Sequence, residues 1–244
     1  MNGKAIIKFL VVIAAIIGLF AYFIQPLAGS LKQGLDLQGG THIVLEAEDS
    51  ATGTADNDAV ERAKQILERR INEMGLSEPL VQREGARRII IELPGVKDPD
   101  EAIKRIGKTA VLEFKNDQGQ TVMTGDDLKD AKEELGQNKQ PLVAIELSDE
   151  GAKKFADLTS KNIGRRIAIT LDGKELTNPV VQQAITGGKA TISGSQSLEE
   201  AKDLAILLRS GALPVKINVL EVRTVGPSLG QDSKDKSVVA LSAG

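Results

Sequence analysis

The chain has 244 residues, a net charge of −3 and 41% hydrophobic residues, enough for one large or two small domains with a real core. Its aromatic residues are five Phe and one Tyr, and most of them lie near the N-terminus. The scarcity of aromatic residues and the slightly negative net charge argue against nucleic acid as a partner, because nucleic-acid binding needs aromatic stacking and positive charge. With no Cys and one His, disulfides, thiolate nucleophiles and Cys- or His-rich metal sites are excluded.

Residues 1–26 predict a cytoplasmic tail and one transmembrane helix. The stretch 5–24 is apolar except for Lys8, and about 20 helical residues span the hydrocarbon layer of roughly 30 Å. Lysines near the start favour a cytoplasmic N-terminus, so the residues after Gln25 are expected outside the cytoplasm. Two alternatives are a cleaved secretory signal, which the long apolar run and Pro26 disfavour, and a buried helix of a soluble protein.

The residues after the linker predict alternating strands and helices. Residues 41–48 alternate in the manner of a half-buried strand, with Thr41, Ile43, Leu45 and Ala47 on one face. Further elements are predicted in this order: a helix over 56–74 ended by Gly75, a hairpin turning at 84–86 and ending at Pro94-Gly95, a helix capped by Asp98, and a strand over 110–114.

A second set of elements follows about seventy residues later. It comprises a strand over 190–193, a helix behind the capping-box sequence that starts at Ser197, and a strand over 215–223. The predicted fold class is therefore α+β, with a ferredoxin-like base domain split between residues 27–115 and 188–225. Residues 116–187 are predicted to form an inserted α+β subdomain, and residues 226–244 a return linker and the start of a second membrane helix.

Both ends of the predicted insertion carry turn-forming residues. Asn116 and Asp117 open it, and Gly187 and Gly188 close it. Because domain rotation is usually absorbed by loop residues at element ends, these four are hinge candidates. The alternative is that they are ordinary surface turns.

The sequence proposes no enzyme and no cofactor. Gly187-Gly188-Lys189-Ala190 lacks the Ser or Thr and the spaced glycine of a phosphate-binding loop. His42 has no second His or thiol beside it, so a structural or solvent-facing role is favoured. Acidic pairs such as Asp126-Asp127 are explained by helix starts, since no calcium-loop spacing accompanies them.

Glycine-framed strings are the most specific feature, and two of the three lie at the ends of the region expected outside the cytoplasm. One contains Gly34, Asp36, Gln38, Gly39 and Gly40, one contains Pro94 and Gly95, and the last contains Gly226, Pro227 and Gly230. Together with the run Leu207–Val215, and in this order along the chain, they closely resemble the SecD family of preprotein translocase subunits. Tight turns alone would also require such residues, because glycine tolerates positive φ and proline fixes φ.

The resemblance implies a bacterial inner-membrane protein of the resistance-nodulation-division superfamily that acts with SecF beside the SecYEG channel. It implies an accessory role in which the proton motive force completes translocation, while an inserted mobile head captures and releases the unfolded preprotein on the trans side. Proton-carrying groups of the family lie in later membrane helices, so no proton site is assigned here. The expected partners are SecF, SecYEG, the unfolded preprotein and the lipid bilayer, and no nucleic acid.

Two other classes of function remain open at this point. A proton-driven exporter of the same superfamily would share the anchor and the extracytoplasmic α+β domain. A secreted binding protein or hydrolase would instead lose its leader, and the mature N-terminus would reveal this. The final apolar residues, 237–244, are too few to cross a bilayer, so the sequence is expected to be part of a longer protein.

Overall fold

The computed structural model describes residues 13, 39–49, 53–76, 79–96 and 98–226. From residue 39 onwards these residues belong to one compact unit. Within the described ranges no helix combines the length and apolar character needed to cross a membrane. The predicted transmembrane helix lies outside the described residues except for Ile13, which is helical and exposed. The predicted second membrane helix also lies outside them.

Eleven strands and four α-helices follow in the ranges described from residue 39 onwards. In chain order they are β1 (Gly40–Glu48), α1 (Asn57–Glu73), β2 (Leu80–Glu84), β3 (Arg88–Pro94), α2 (Pro99–Ile106), β4 (Leu112–Lys115), β5 (Thr121–Thr124), β6 (Leu128–Leu135), β7 (Pro141–Leu147), α3 (Asp149–Lys161), β8 (Ala168–Leu171), β9 (Lys174–Thr177), β10 (Lys189–Ser193), α4 (Leu198–Ser210) and β11 (Lys216–Val225). A short 3-10 helix, Gly125–Asp127, precedes β6. The α+β class predicted from the sequence is confirmed.

Strands from both ends of the described chain form one antiparallel sheet in the order β11-β1-β3-β2. We call residues 39–106 together with 216–225 the base. The alternation predicted for β1 is confirmed, because its odd-numbered residues from Thr41 to Ala47 are buried. Their apolar members pack with the buried faces of α1 and α2 into one hydrophobic core. The base therefore has the element order β-α-β-β-α-β.

Residues 112–210, which we call the head, form two further antiparallel sheets. Their strand orders are β10-β7-β6 and β5-β4-β8-β9. Apolar residues of both sheets, of α3 and of α4 make a second core, separate from that of the base. Within it, Phe114 and Phe155 make an edge-to-face contact, with ring centroids 5.9 Å apart.

The predicted boundaries of the insertion are wrong at both ends. The strand at 110–114 was expected in the base, yet β4 pairs with β5 and β8. The strand at 190–193 was also expected there, yet β10 pairs with β7. The physical reason is that each of these strands buries its apolar residues in the second core, Phe114 and Ile192 among them. The insertion therefore includes α4 and begins directly after α2.

Helix starts agree with the local sequence signals. The side chains of Asp98 and Ser197 each accept the backbone N–H three residues on, at 3.0 and 3.1 Å. Glu200 completes the predicted capping box differently, because its carboxylate accepts the N–H of Gln196, one residue before the cap. Gly75 and Gly211 have φ of 74° and 89°, as expected where a helix ends.

Candidate functional site

Three of the glycine-framed strings meet at one end of the base sheet. Gly40 pairs with Pro94 on one side and with Val225 on the other. The N–H of Gly95 donates to the carbonyl oxygen of Gly39 at 2.9 Å. We call Gly39, Gly40, Pro94, Gly95 and Gly226 the glycine junction. Residues that are more than 180 positions apart in the sequence are thus brought to a single point.

Gly40 is a residue of the junction at which a larger side chain would meet close backbone atoms. A Cβ at this position would clash with the carbonyl oxygen of Leu93 and lie 2.9 Å from the Cα of Pro94. Its φ of 154° also lies in the region that glycine alone adopts readily. Next to it, the buried hydroxyl of Thr41 donates to the carbonyl oxygen of Val96 at 3.1 Å. The junction is therefore closely packed on its β3 side.

The other predicted motif residues differ from Gly40. Gly39 and Gly95 have positive φ, of 69° and 74°, which agrees with turns that favour glycine. Gly226 is exposed, its φ is outside the left-handed region, and an added Cβ would meet nothing within 4 Å. Its local structure therefore imposes no steric need for glycine. The remaining motif residues, Gly34, Asp36, Gln38, Pro227 and Gly230, lie outside the described residues.

The hinge candidates do not lie between base and head. Asn116 and Asp117 form the turn of the β4–β5 hairpin, and the Asn116 side chain accepts the N–H groups of Gln118 and Gln120. Asp117 is tied to Arg165 by an ion pair of 3.0 Å. This turn connects two strands of one sheet, so its predicted position at a boundary is wrong.

The glycine pair at the other predicted boundary also lies within the head. Gly188 has a φ of 64°, and its carbonyl oxygen accepts the N–H of Leu147 at 2.8 Å. Gly187 and Gly188 lead directly into β10, which pairs with β7. The chain passes between base and head at residues 107–111 and 211–215 instead, and we call these the two crossings.

A cleft of about 750 Å³ opens in the head. Its walls come from β6, β7 and β10 on one side and from α3, β8 and the loop after β9 on the other. Aliphatic side chains dominate its interior, and Phe155 is its one aromatic lining residue. The apolar lining is Ala131, Ala144, Ile145, Phe155, Ile167, Ile169, Pro179, Val180, Val181, Ile185 and Ala190.

One wall of the cleft is an irregular segment that the sequence did not predict. Residues 178–185, which we call the strap, are held by backbone bonds between Val181 and both Gly164 and Arg165, at 2.8 and 2.9 Å. The N–H of Ile185 donates to the Thr159 hydroxyl, which itself donates to the carbonyl oxygen of Phe155. Val180 on the strap remains 46% exposed. Its sequence signal was a short apolar run directly after Asn178-Pro179.

Charged side chains occupy the rim of the cleft. Lys132 lies 3.0 Å from Asp130, and its hydrogen bond lowers the pKa of that carboxyl. Lys129 donates to Glu146 at 2.6 Å and lowers the pKa of Glu146 in the same way. Both carboxylates therefore stay ionised at neutral pH. Charge on the rim and aliphatic groups within make a surface that is wettable outside and apolar inside.

Metal ligands are not gathered in the described part of the chain. No group of three or more His, Asp or Glu residues there is placed to hold a metal ion. His42 lies on β1 opposite Glu92, with Nδ1 3.4 Å from the carboxylate. Asp127 caps the short 3-10 helix and pairs with Lys154 at 2.7 Å. These side chains serve local structure.

Fold and site together define a class: an α+β protein in which a β-α-β-β-α-β base carries an inserted head with its own core and cleft.

Three family models match the chain. The model described as "SecDF, P1 head subdomain" matches residues 103–215, "Protein translocase subunit SecDF, P1 domain, N-terminal" matches 60–119, and "SecD/SecF GG Motif" matches 31–51. The last range contains Gly39 and Gly40.

Relatives agree with these models. Protein translocase subunit SecD of Acidaminococcus fermentans is 57% identical over all of this chain and 58% of its own length. SecD of Desulfurispirillum indicum is 33% identical over all of this chain and 70% of its own. The chain belongs to the SecD/SecDF family of protein translocase subunits. It spans 58% of the length of the Acidaminococcus fermentans protein and 52% of that of SecD from Dictyoglomus turgidum.

Solved structures of the family have the same fold. "Crystal structure of SecDF in Super-membrane-facing form" matches 86% of this chain and 34% of its own, with 41% identity and a TM-score of 0.74. "Structure and function of a membrane component SecDF that enhances protein export" matches 75% of this chain and 99% of its own, with 40% identity and a TM-score of 0.68. The head family model begins within α2 and ends after α4, which agrees with the head bounds given by strand pairing.

Proposed function

We propose that this chain serves preprotein translocation as part of a SecD subunit, and that its head holds segments of unfolded secreted polypeptide in the cleft on the trans side. The observation that carries the proposal is the aliphatic cleft of about 750 Å³ within the residues that match the head family model. Its volume lies in the range of pockets that enclose a small ligand, which corresponds to a few side chains of an extended peptide.

The chemistry of the cleft suits transient holding. An unfolded chain presents apolar side chains of many shapes, and an aliphatic surface accepts them without selecting a sequence. Phe155 is the single aromatic in the lining, so each contact adds little affinity and release stays easy. The charged rim carries both signs, which keeps the open cleft soluble when it is empty.

The wider proposal follows the family. The ferredoxin-like base would sit beside the inner membrane, tethered by the N-terminal transmembrane helix with its cytoplasmic tail. SecF and the SecYEG channel are the proposed protein partners, and the lipid bilayer is the proposed support. The proton motive force would drive the cycle of capture and release. We propose no enzymatic reaction and no cofactor.

Two valines allow a sharp test of client binding. Val180 lines the cleft and is 46% exposed, whereas Val122 on β5 is 42% exposed and lies outside the cleft lining. A photoreactive amino acid at each position, in the full-length subunit within membrane vesicles, is irradiated while a secretory precursor is halted midway through translocation. We expect several-fold more adduct with the precursor at position 180, because only that side chain would contact the bound segment.

Two controls accompany this experiment. Vesicles without a halted precursor should give no adduct at either position. Ala144→Asp in the cleft wall should reduce the adduct at position 180, because a charge among aliphatic side chains disfavours apolar clients. Equal adduct yields at positions 180 and 122, or none at either, would contradict client holding in the cleft.

A further inference from the structure

The two crossings between base and head run side by side. The N–H of Leu213 in the second crossing donates to the carbonyl oxygen of Thr109 in the first, at 2.8 Å. Each crossing contains a residue with positive φ, Ala110 at 61° and Gly211 at 89°. An L-residue such as Ala110 adopts this conformation only where its surroundings impose it. The crossings are therefore fixed by specific contacts.

Asp172, in the β8–β9 turn of the head, holds the first crossing. Its carboxylate accepts the N–H groups of Ala110 and Val111 at 3.1 and 2.9 Å. Its own N–H donates to the carbonyl oxygen of Val111 at 2.9 Å. These bonds attach the first crossing to the head and account for the unusual backbone at Ala110.

Arg70 is a side chain of the base that hydrogen-bonds at the start of both crossings. It lies on α1 and is completely buried. Its guanidinium donates to the carbonyl oxygens of Ile106, Lys108 and Gly211 and to the Ser210 hydroxyl; the bonds to Ile106 and Gly211 measure 2.6 and 2.8 Å. Ile106 and Lys108 lie on either side of the first residue of the first crossing. Gly211 is the first residue of the second crossing, and Ser210 directly precedes it.

Helix ends stabilise the buried charge. Among the described residues, every hydrogen-bond acceptor of the Arg70 guanidinium is a carbonyl or hydroxyl oxygen. Burial lowers the pKa of Arg70 to about 10, and the negative charge of Asp172 in the head opposes that shift, so the guanidinium stays charged at neutral pH. A buried cation that makes no direct hydrogen bond to a carboxylate is normally destabilising. Here the guanidinium lies at the C-terminal ends of α2 and α4, whose carbonyl groups carry partial negative charge.

Two peripheral ion pairs join the same elements. Arg105 on α2 donates to Asp203 on α4 at 3.1 Å, and Arg209 on α4 pairs with Glu73 on α1 at 2.8 Å. The opposite, apolar side of α4 belongs to the head core, through Ala201, Leu204, Ala205 and Leu208. Because α4 is part of the head by packing and reaches the base through arginines, its position reports the position of the whole head.

We propose that Arg70 is the positioning residue that sets the orientation of the head on the base, by holding the starts of both crossings at one point. Four N–H donors on one rigid, planar guanidinium fix both the distance and the direction of the acceptors around it. The ammonium group of a lysine would not fix their direction. The inference does not depend on client capture. Its test therefore uses the protein without any preprotein present.

These 244 residues contain no cysteine, so labels introduced within them compete with no thiol of this region, and any cysteine elsewhere in the full-length subunit is first replaced by serine. Spin labels are placed on introduced cysteines at Gln65 on α1 and Gln137 at the β6–β7 turn, both exposed, in the full-length subunit. Pulsed electron paramagnetic resonance then gives the distribution of distances between base and head. We expect Arg70→Met to broaden this distribution at least twofold or to shift its maximum, and Arg70→Lys to have an intermediate effect.

Arg83 provides a matched control. It also donates to three carbonyl oxygens, those of Asn57, Gly85 and Ala86, but all of them are in the base. Arg83→Met should leave the distribution unchanged. A purely structural role for Arg70 would lower the melting temperature while the folded protein kept the wild-type distances, and that result would overturn the proposal. If Arg70→Met does not fold, a wild-type distribution in Arg70→Lys overturns it equally.

Discussion

Gly40 is a position at which the neighbouring backbone leaves no room for a side chain. An added methyl group would meet the backbone of Leu93 and Pro94, and the residue would also be strained at a φ of 154°. We predict that Gly40→Ala lowers the free energy of unfolding by about 2–4 kcal/mol, since backbone strain and overpacking add together. Urea unfolding, followed by circular dichroism, measures this change.

Gly85 is the control for backbone strain alone. It has a φ of 64° in the β2–β3 turn of the same sheet, and a Cβ there would meet nothing within 4 Å. Gly85→Ala is expected to cost about 1 kcal/mol. If both substitutions lowered the free energy of unfolding equally, the close approach of β1 and β3 at the junction would contribute nothing to the effect at Gly40.

Single residues differ in how far the sequence reveals their role. The turn role of Gly40 and Gly95 was predictable, because a backbone with positive φ or a close backbone neighbour favours glycine over every other residue. Arg70 was not identified, although it carried a signal: on α1 it follows the buried Leu67 by three residues and so lies on the apolar face. A charged residue on such a face is rare unless it is partnered, but its partners at Lys108 and Gly211 are set by the tertiary fold.

Helix α3 illustrates what local sequence controls at the scale of an element. Ser148 caps it by accepting the N–H of Gly151 at 3.1 Å, and its Phe155 and Thr159 line the cleft. We predict that Ser148→Ala lowers the free energy of unfolding of the head by about 1 kcal/mol, because one N–H group at the helix start loses its partner. Ser160→Ala, on an exposed turn of the same helix, should be neutral within about 0.5 kcal/mol in the same urea titration.

The sequence predicted fewer of the strands than of the helix caps, and the reason is physical. A cap depends on residues three positions apart, whereas a strand is stabilised by a partner that is distant in sequence. Strand β6 was not identified because Lys129, Asp130 and Lys132 make it look like a solvated segment, and Ala131 is its one fully buried residue. Packing beneath α4 and pairing with β7 determine its structure.

For the whole molecule, the sequence indicated an insertion but not its extent. The order of elements is compatible with either a small head between residues 116 and 187 or a larger one. Only the pairing of β4 with β8 and of β10 with β7 decides between them. The reason is energetic: each strand joins the core in which its apolar face is buried, and two cores compete for the same strands.

Two separate cores lead to a prediction about acid. In the described residues, the head contains three carboxyls whose pKa values are lowered by hydrogen bonds, Glu113, Asp130 and Glu146, while the base contains one, Asp49. Such groups stabilise the fold fully above their ordinary pKa values of 3.8 to 4.5, and this contribution is lost as the pH falls through the lowered pKa values.

We therefore expect amide hydrogen exchange to report loss of protection in β4, β6 and β7 at a higher pH than in β1 and β3. Glu113→Gln should weaken the pH dependence in the head and leave the base unchanged. Loss of protection in both sets of strands at the same pH would show that the head does not respond to acid as a unit of its own, and loss in the base first would contradict the predicted order.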